Sequence, residues 1–470
     1  MPEPSWVSIL PPLIAIVLAL ATRQVYLSLA TGVWIGCTLL AGGNPLRGLA
    51  QAIEQAVLVL GDAGNARVVL FTLAVGALIV TVEASGGVRG LVGWLERRRF
   101  VNSPRRAGLL VFVLGLVIFV ESNITILVGG AVGRPLFDRF RLSRERLALL
   151  VDSLSAPVCM LIPLNAWGAL VISLLSQAGA QAPVAMLLSA VPMLFYCFAV
   201  IVLAGLVALG RFIVGPLRHA EQRTRQGQLL WPGAQPLIDP DILSPPVTER
   251  IPPRALNMVL PIATMVLAMP VALWITGQGD LRKGSGSTSV LWAVLLALAT
   301  AWVLLRVQRA FSIHELVQLG LKGAGGLVNM ALILILALAL ASVANQLGTG
   351  RYVAQSTAGV FPPWIFLPLV FVVSAFVSFC TGTSWGTFAL FVPIVVPAAA
   401  AMGLSPAPFV AAALSGGVFG DHASPISDTS IIASMASAAD HVDHIRTQLP
   451  YALIAAAVTT VAYAVAGALL

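Results

Sequence analysis

The fold of this chain is decided by two polar interruptions of hydrophobic sequence: FVESNIT at residues 119–125 and FVSFCTGTS at residues 376–384. Each is followed by a second interruption, DSLSAP at 152–157 and GDHASPISD at 420–428. Polar groups at membrane depth are costly and usually mark a functional site. Corresponding interruptions in two halves of a chain indicate the binding site of a secondary transporter.

The composition indicates a membrane protein. Hydrophobic residues make up 58% of the 470 residues and charged residues 10%, whereas a soluble domain carries about a quarter charged residues. The net charge of +8 comes largely from arginines in short loops between apolar runs. That pattern is typical of cytoplasmic loops and argues against nucleic-acid binding. We therefore predict a multi-pass protein of the inner (cytoplasmic) membrane that needs no cofactor.

The arginines also predict a first re-entrant hairpin. Basic clusters at 89–106 and 134–146 flank the apolar stretch 107–133, so both of its ends belong in the cytoplasm. The stretch is too short for two spans, since each needs roughly 20 residues. We expect residues 122–125 near its tip. A second hairpin at 363–400 is predicted to have residues 381–384 at its tip, and the loop after it is uncharged.

The complete prediction is an all-α fold of about ten transmembrane helices plus two opposed re-entrant hairpins. The first repeat covers 1–209 and includes a broken helix at 146–176. A proline-rich cytoplasmic linker at 210–254 follows. The second repeat covers 255–470 and includes a broken helix at 407–438. The repeat is expected to be inverted, because each half contains an odd number of spans. The basic loops place both termini outside.

Neutral oxygens at the interruptions suit a sodium ion, which prefers several hard oxygen ligands. The candidate neutral ligands are Asn123, Thr125, Ser155, Thr381, Thr383, Ser384, Ser424 and Ser427. The alternative for each hydroxyl is that it satisfies backbone groups freed by the helix break.

Four acids at the same places can hold either a proton or a cation. Burial favours the protonated carboxyl, and a bound cation favours the carboxylate. Asp152 and Asp428 are the preferred pair for both cation binding and proton coupling, followed by Glu121 and Asp421 for proton coupling. The alternative role is a structural ion pair with a loop arginine.

Two further motifs suggest other chemistry. GTSWG at 382–386 matches the nucleophile elbow of hydrolases, with Ser384 as nucleophile and His422 as the candidate base. That elbow needs a strand before it, however, and here it lies at a hairpin tip. DHVDH at 440–444 has metal-like spacing but falls at a predicted cytoplasmic helix end, where capping is favoured and pH sensing is the alternative.

These residues resemble the NhaC family of sodium/proton antiporters over nearly the whole chain. The most specific similarities are LSRERLA at 142–148, DSLSAPVC at 152–159, PLNAWG at 163–168, TGTSWG at 381–386, the stretch 420–429 and parts of 440–451. The first tip departs from many relatives, which have Asp-Asp-Tyr-Phe-Asn where this chain has ESN at 121–123. One tip acid is therefore missing.

The resemblance implies the fold of the ion transporter superfamily, in which a scaffold domain forms a homodimer and a transport domain carries the hairpin tips past it. It also implies sodium/proton antiport by elevator-type alternating access, with Na⁺ and H⁺ as substrates in the lipid bilayer. Some relatives exchange organic acids or carry amino acids, so a sodium- or proton-coupled transporter of a small organic anion or amino acid is the alternative. Neither tip contains arginine, which favours the cation, since a carboxylate solute would need a cationic or helix-N-terminal site.

Overall fold

The computed structural model describes residues 5–22, 24–97, 101–119, 121–163, 165–236, 250–280, 284–349, 352 and 362–470. Regular secondary structure in these ranges is helical. The α-helices are α1 (Leu10–Thr22), α2 (Val25–Leu40), α3 (Pro45–Gly61), α4 (Ala63–Ala84), α5 (Gly87–Arg97), α6 (Pro104–Val117), α7 (Ser122–Arg139), α8 (Arg144–Ser153), α9 (Ala156–Leu161), α10 (Ala166–Gln177), α11 (Pro183–Ala190), α12 (Phe195–Ala208), α13 (Gly215–Arg225), α14 (Leu256–Thr276), α15 (Gly286–Val307), α16 (Ile313–Gly326), α17 (Val328–Gln346), α18 (Pro363–Thr381), α19 (Ser384–Ala401), α20 (Pro406–Ala423), α21 (Asp428–Ser437) and α22 (His441–Ala468). The predicted all-α multi-pass fold is confirmed.

Six helices in the described ranges are long and apolar enough to cross a membrane: α4, α14, α15, α18, α19 and α22. The number rises to nine if each of three bent helix pairs counts as one span. Helices α8, α9, α10 and α21 fall short of the 18-residue length because the polar interruptions divide them. The predicted number of about ten spans treated each of these broken helices as one crossing.

The first hairpin consists of α6 and α7, which pack against each other on either side of the first interruption. Glu121 caps α7, because its Oε2 accepts a hydrogen bond from the Ile124 amide at 2.9 Å. Thr125 closes the turn, because its hydroxyl lies within hydrogen-bond distance of the carbonyls of Glu121, at 3.0 Å, and Ile118. The tip is therefore ordered by its own polar side chains.

The second hairpin consists of α18 and α19, joined at Gly382. This glycine has a left-handed backbone with φ of 66°, which residues with a Cβ atom adopt at a cost. A Cβ atom at this position would also lie 2.7 Å from the carbonyl oxygen of Ile426. Glycine is thus required both by the turn and by the contact of the tip with the break between α20 and α21.

Polar side chains join each hairpin to a broken helix. Asn165 precedes α10 and caps it, and its Nδ2 donates to the carbonyl of Phe119 in the first hairpin at 2.9 Å. Ser424 follows α20, and its Oγ donates to the carbonyl of Phe379 in the second hairpin at 2.7 Å. Backbone groups left without helical partners are satisfied in this way, as membrane burial demands.

Close approach of α18 and α20 depends on small residues. A Cβ atom on Gly416 would lie 2.4 Å from the Phe371 carbonyl oxygen, and one on Gly420 would lie 2.2 Å from the Ala375 carbonyl oxygen. Small residues allow this kind of backbone approach between helices in membranes. The packing holds α20, and hence the second break, against the second hairpin.

The segment predicted as a linker contains the helix α13, which is partly buried. Arg223 pairs with Glu145 of α8 through two hydrogen bonds of 2.8 and 3.0 Å. Glu221 accepts hydrogen bonds from the amide and the hydroxyl of Ser143, both at 3.0 Å. The first part of the linker is therefore attached to the start of α8, while residues 237–249 lie outside the described ranges.

Candidate functional site

A cavity lies where the two hairpin tips meet. Its lining residues are Thr72, Val75, Glu121, Ser122, Asn123, Trp167, Leu327, Thr383, Trp385, Asp421, Asp428 and Thr429. They come from both tips, from α10, from both sides of the second break, and from α4 and the residue before α17. The volume open to the centres of water-sized spheres is about 40 Å³, which is room for a few water molecules.

Three carboxylates line this cavity, and no lining residue in the described part of the chain is basic. They are Glu121, Asp421 and Asp428. Carboxylates that share a narrow cavity repel one another, so a cation or a proton that compensates their charge is favoured there. The electrostatics of the cavity therefore favour a cation, a proton, or one in exchange for the other.

Asp421 is held in place by two serine hydroxyls. It is 3% exposed, and its two oxygens accept hydrogen bonds from the hydroxyls of Ser384 at 2.6 Å and Ser427 at 2.7 Å. Ser427 is also within 2.9 Å of the Thr429 hydroxyl. The second tip and the second break thus fix this carboxylate from two sides, and each oxygen keeps lone-pair capacity for a cation.

Asp428 and Asn123 face the same cavity in different ways. Asp428 is exposed, whereas Asp421 is buried, and both line the cavity. Asn123 has a buried Oδ1 atom that accepts no hydrogen bond from the residues the structure describes. An unsatisfied buried acceptor is costly, and a cation in the cavity would satisfy it.

Two tryptophans form the apolar wall of the cavity. The rings of Trp167 and Trp385 are 5.6 Å apart between centroids, and both residues line the cavity. Thr383 lines this cavity and also a smaller one, which Thr381 shares. Trp167, Trp385 and Thr429 were not among the candidates from sequence, although PLNAWG and TGTSWG contain the two tryptophans.

Several predicted ligands lie beside the cavity, where their hydroxyls bond to backbone carbonyls. Ser155 donates to Asp152 at 2.7 Å, Thr381 to Val377 at 2.9 Å, and Ser424 to Phe379 as described. Thr125 does the same within the first tip. These contacts match the alternative role for single hydroxyls, which is to satisfy backbone freed by the breaks.

Asp152 is separate from the cavity lining among the described residues. It is 1% exposed, and its Oδ2 accepts hydrogen bonds from Ser430 at 2.8 Å and from Gln448 at 2.7 Å. His444 lies 3.7 Å from the same oxygen. The structure therefore divides the four candidate acids into three at the cavity and one in an adjacent histidine network.

The hydrolase geometry is not assembled around Ser384. Its hydroxyl donates to Asp421, while the ring nitrogens of His422 lie 2.7 Å from the hydroxyl of Tyr196 and 3.1 Å from that of Ser153. A Ser–His pair would need a direct hydrogen bond between nucleophile and base. In the described structure both groups are engaged elsewhere.

The sequence of this chain matches a known protein family. The model of the Na⁺/H⁺ antiporter family matches residues 158–468, which contain the second hairpin and both sides of the second break. The chain belongs to this family. Membership makes it a multi-pass membrane transporter, in agreement with the predicted resemblance.

Relatives with several different names share the similarity. An uncharacterized Haemophilus influenzae protein is 31% identical across 98% of this chain and 90% of its own length. A Bacillus subtilis malate-2H⁺/Na⁺-lactate antiporter is 31% identical over 37% of this chain and 38% of its own. An arginine/ornithine antiporter of Halobacterium salinarum is 29% identical over 44% of this chain and 41% of its own.

The fold has a counterpart among solved structures. The crystal structure of the Alcanivorax borkumensis YdaH transporter aligns with a TM-score of 0.57 over 89% of this chain and 88% of that one. Sequence identity in the alignment is 14%, so the likeness concerns the fold.

Proposed function

We propose that this protein exchanges Na⁺ for H⁺ across the cytoplasmic membrane. The observation that carries the proposal is the small cavity between the tips, which Glu121, Asp421 and Asp428 line and to which no basic residue of the described ranges contributes. A dehydrated cation with one or two water molecules fits its volume of about 40 Å³. The family to which the chain belongs supports the same exchange.

The ligands proposed for Na⁺ are oxygen atoms of the cavity. Carboxylate oxygens come from the three acids, hydroxyl oxygens from Thr383 and Thr429, and the amide oxygen from Asn123. Hard oxygen ligands suit a hard cation. The Asn123 Oδ1 supports this assignment because it is otherwise without a partner.

Exchange follows from competition for the same carboxylates. A bound cation stabilises the ionised acids, and its departure leaves adjacent negative charges in a poorly solvated cavity, which favours protonation. Either Na⁺ or H⁺ can therefore neutralise the negative charge of the carboxylates, and binding of one makes binding of the other unnecessary. If the site can switch from one side of the membrane to the other only when its carboxylate charge is neutralised, the Na⁺ and H⁺ fluxes are coupled.

Reciprocal packing supports an inverted repeat and an elevator-type movement. Helix α4 packs against α15 and α16, while α17 packs against α2 and α3. Likewise α7 packs against α21, and α19 packs against α10. These are the contacts expected if a pseudo-two-fold axis relates the halves. We propose that the hairpins and broken helices move past α4 and α17, and that the other helices form the homodimer contact.

Proteoliposomes with an internal pH-sensitive dye test the exchange. An inward Na⁺ gradient without any organic solute should drive proton efflux from the wild-type protein. Asp428→Asn should abolish the response, whereas Glu54→Gln, which changes an exposed acid on α3, should preserve it. A silent dye together with Na⁺-dependent uptake of a labelled organic solute would refute antiport.

Na⁺-coupled transport of a small carboxylate solute is the second candidate. The observation in its favour is the N-terminus of α19, which has Thr383 at the N-cap without a side-chain cap and adjoins the cavity. Uncapped helix N-termini attract anions. The names of the partly matching relatives, one for malate and lactate and one for arginine and ornithine, support testing labelled solutes of these classes.

A further inference from the structure

A chain of hydrogen bonds lies beside the cation cavity and has no part in its lining. It connects His441, which is partly exposed, with Ser434, His444, Gln448 and Asp152, which are buried. The Ser434 hydroxyl lies 2.9 Å from Nδ1 of His441 and 2.9 Å from Nδ1 of His444. The partners of these groups determine where the hydrogens must be.

The orientation of Gln448 is determined first. Its Nε2 donates to the carbonyl of His422 at 2.6 Å and to Oδ2 of Asp152 at 2.7 Å. A carbonyl can only accept, so the amide cannot be turned around without losing that hydrogen bond. Oε1 of Gln448 therefore faces Nε2 of His444 at 2.7 Å, and Nε2 of His444 must carry a hydrogen.

The same reasoning applies to His441. Its Nε2 lies 2.7 Å from the carbonyl oxygen of Pro425, so that nitrogen also carries a hydrogen. A neutral imidazole has one N–H group, which means that Nδ1 of a neutral His441 or His444 must accept. Both Nδ1 atoms face the hydroxyl of Ser434.

Ser434 can satisfy one of these two acceptors at a time, because a hydroxyl has a single hydrogen. If Ser434 donates to His444, Nδ1 of His441 must donate and His441 is an imidazolium. If Ser434 donates to His441, the charge resides on His444. If it donates to the carbonyl of Ser430, at 2.8 Å, both histidines are charged.

We propose that His441, Ser434 and His444 form a proton-binding site, separate from the cation cavity, that holds at least one proton beyond two neutral imidazoles and passes it between His441, which is partly exposed, and His444, which lies beside Asp152. Its use during transport rests on the proposed Na⁺/H⁺ exchange. The protonation state of the pair does not, because it follows from the hydrogen-bond geometry.

The transfer step needs no movement of heavy atoms. The Nδ1–H bond of the His444 imidazolium breaks as its proton passes to Oγ of Ser434, and the original Oγ–H proton passes to Nδ1 of His441. His444 becomes neutral, His441 becomes the imidazolium, and Ser434 is again a hydroxyl. The reverse sequence returns the proton to His444, whose Nε2 is 3.7 Å from Asp152.

Charged groups of both signs surround the pair. Asp152 is the close counter-ion, and a carboxylate at this distance favours the charged histidine. The other titratable or charged groups on the surrounding elements are Arg144 and Glu145 on α8, Tyr196 on α12, Arg223 on α13, His422 on α20, Asp428 on α21, and Asp440, Asp443 and Arg446 beside the pair.

Nitrogen NMR of the histidine-labelled full chain in detergent tests the proton count without any transport. The chain has five histidines, of which His219 and His314 are exposed and provide internal references. At a pH where both references are neutral, one imidazolium shared by His441 and His444 should remain. Two neutral imidazoles with pyridine-like Nδ1 signals would overturn the proposal.

Ser434→Ala should remove the retained imidazolium, because both Nδ1 atoms lose the shared hydroxyl. Ser434→Thr keeps a hydroxyl and should retain the signal. Ser437→Ala is the matched control on the same helix, since the Oγ of Ser437 is buried and makes no hydrogen bond within the described ranges. Persistence of the imidazolium in a folded Ser434→Ala protein would overturn the proposal. If that variant does not fold, the wild-type spectrum decides.

The role in transport has a separate readout. Ser434→Ala should shift or flatten the pH profile of Na⁺-driven proton movement, while the apparent KM for Na⁺ changes less than twofold. An unchanged pH profile would remove the site from the proton route. If wild-type protein shows the shared proton but no Na⁺-driven proton movement, the Na⁺/H⁺ exchange is refuted and the proton-binding site stands.

Discussion

Replacing Asp421 by asparagine tests the cavity most directly. The change removes one negative charge and little volume. Asparagine keeps an acceptor for one of the hydroxyls of Ser384 and Ser427, and its amide can donate to the other after a hydroxyl rotation. The loss of folding free energy should therefore be about 1 kcal/mol, and the variant should fold.

The effect on Na⁺ binding should be much larger. A cation about 4 Å from the carboxylate gains about 4 kcal/mol at an effective dielectric constant near 20. Part of that energy is regained from water and from Glu121 and Asp428, which leaves about 2–4 kcal/mol. One decade of affinity corresponds to about 1.4 kcal/mol. The apparent KM for Na⁺ should therefore rise about 30-fold to 1000-fold.

The measurement is the Na⁺ dependence of proton movement in proteoliposomes, with thermal unfolding in detergent as a check of folding. Ser437→Ala, which changes a buried hydroxyl without a partner, serves as a control for reconstitution. A folded Asp421→Asn protein with a KM within threefold of wild type would contradict the assignment of this carboxylate as a Na⁺ ligand.

Three further changes test the fold and the proton pathway. Gly382→Ala should lower the unfolding free energy by about 1–2 kcal/mol more than Gly403→Ala. Both glycines have positive φ, but only Gly403 has open space for a Cβ atom. Equal shifts of the unfolding temperature would contradict this prediction. Arg223→Leu should lower the free energy of unfolding by about 3–5 kcal/mol, because it leaves buried Glu145 unpaired. Changing Glu145 to leucine as well should restore most of this loss, and thermal unfolding measures both effects. Asp152→Asn should abolish proton coupling, and unchanged Na⁺-dependent proton movement would exclude that acid.

Much of the fold was predictable because its determinants are local. Lipid cannot satisfy exposed backbone or polar groups, so the positions of polar residues within apolar sequence indicate where helices must break or turn. Residues 122–125 and Gly382 lie at such positions, and both lie at hairpin tips in the structure. The helix α13 was missed, because its attachment depends on ion pairs with residues far away in sequence.

The site was predictable as a set of residues and less so as an arrangement. Sequence reasoning ranked Asp152 and Asp428 before Asp421, because Asp152 and Asp428 flank the two breaks. In the structure Asp421 accepts a hydrogen bond from Ser384 of the second hairpin, whereas Asp152 accepts one from Gln448, which is 296 positions away in the chain. Such pairings depend on how helices from the two halves pack.

The sequence by itself determined that this chain is a multi-pass helical membrane protein with paired interruptions, because the cost of polar groups in lipid acts on each segment separately. Tertiary structure decided which acids share a cavity and which one joins a histidine network. The physical reason is that carboxylate charge, hydroxyl hydrogens and imidazole tautomers depend on neighbours a few ångströms away, and helix packing brings those neighbours from distant parts of the chain.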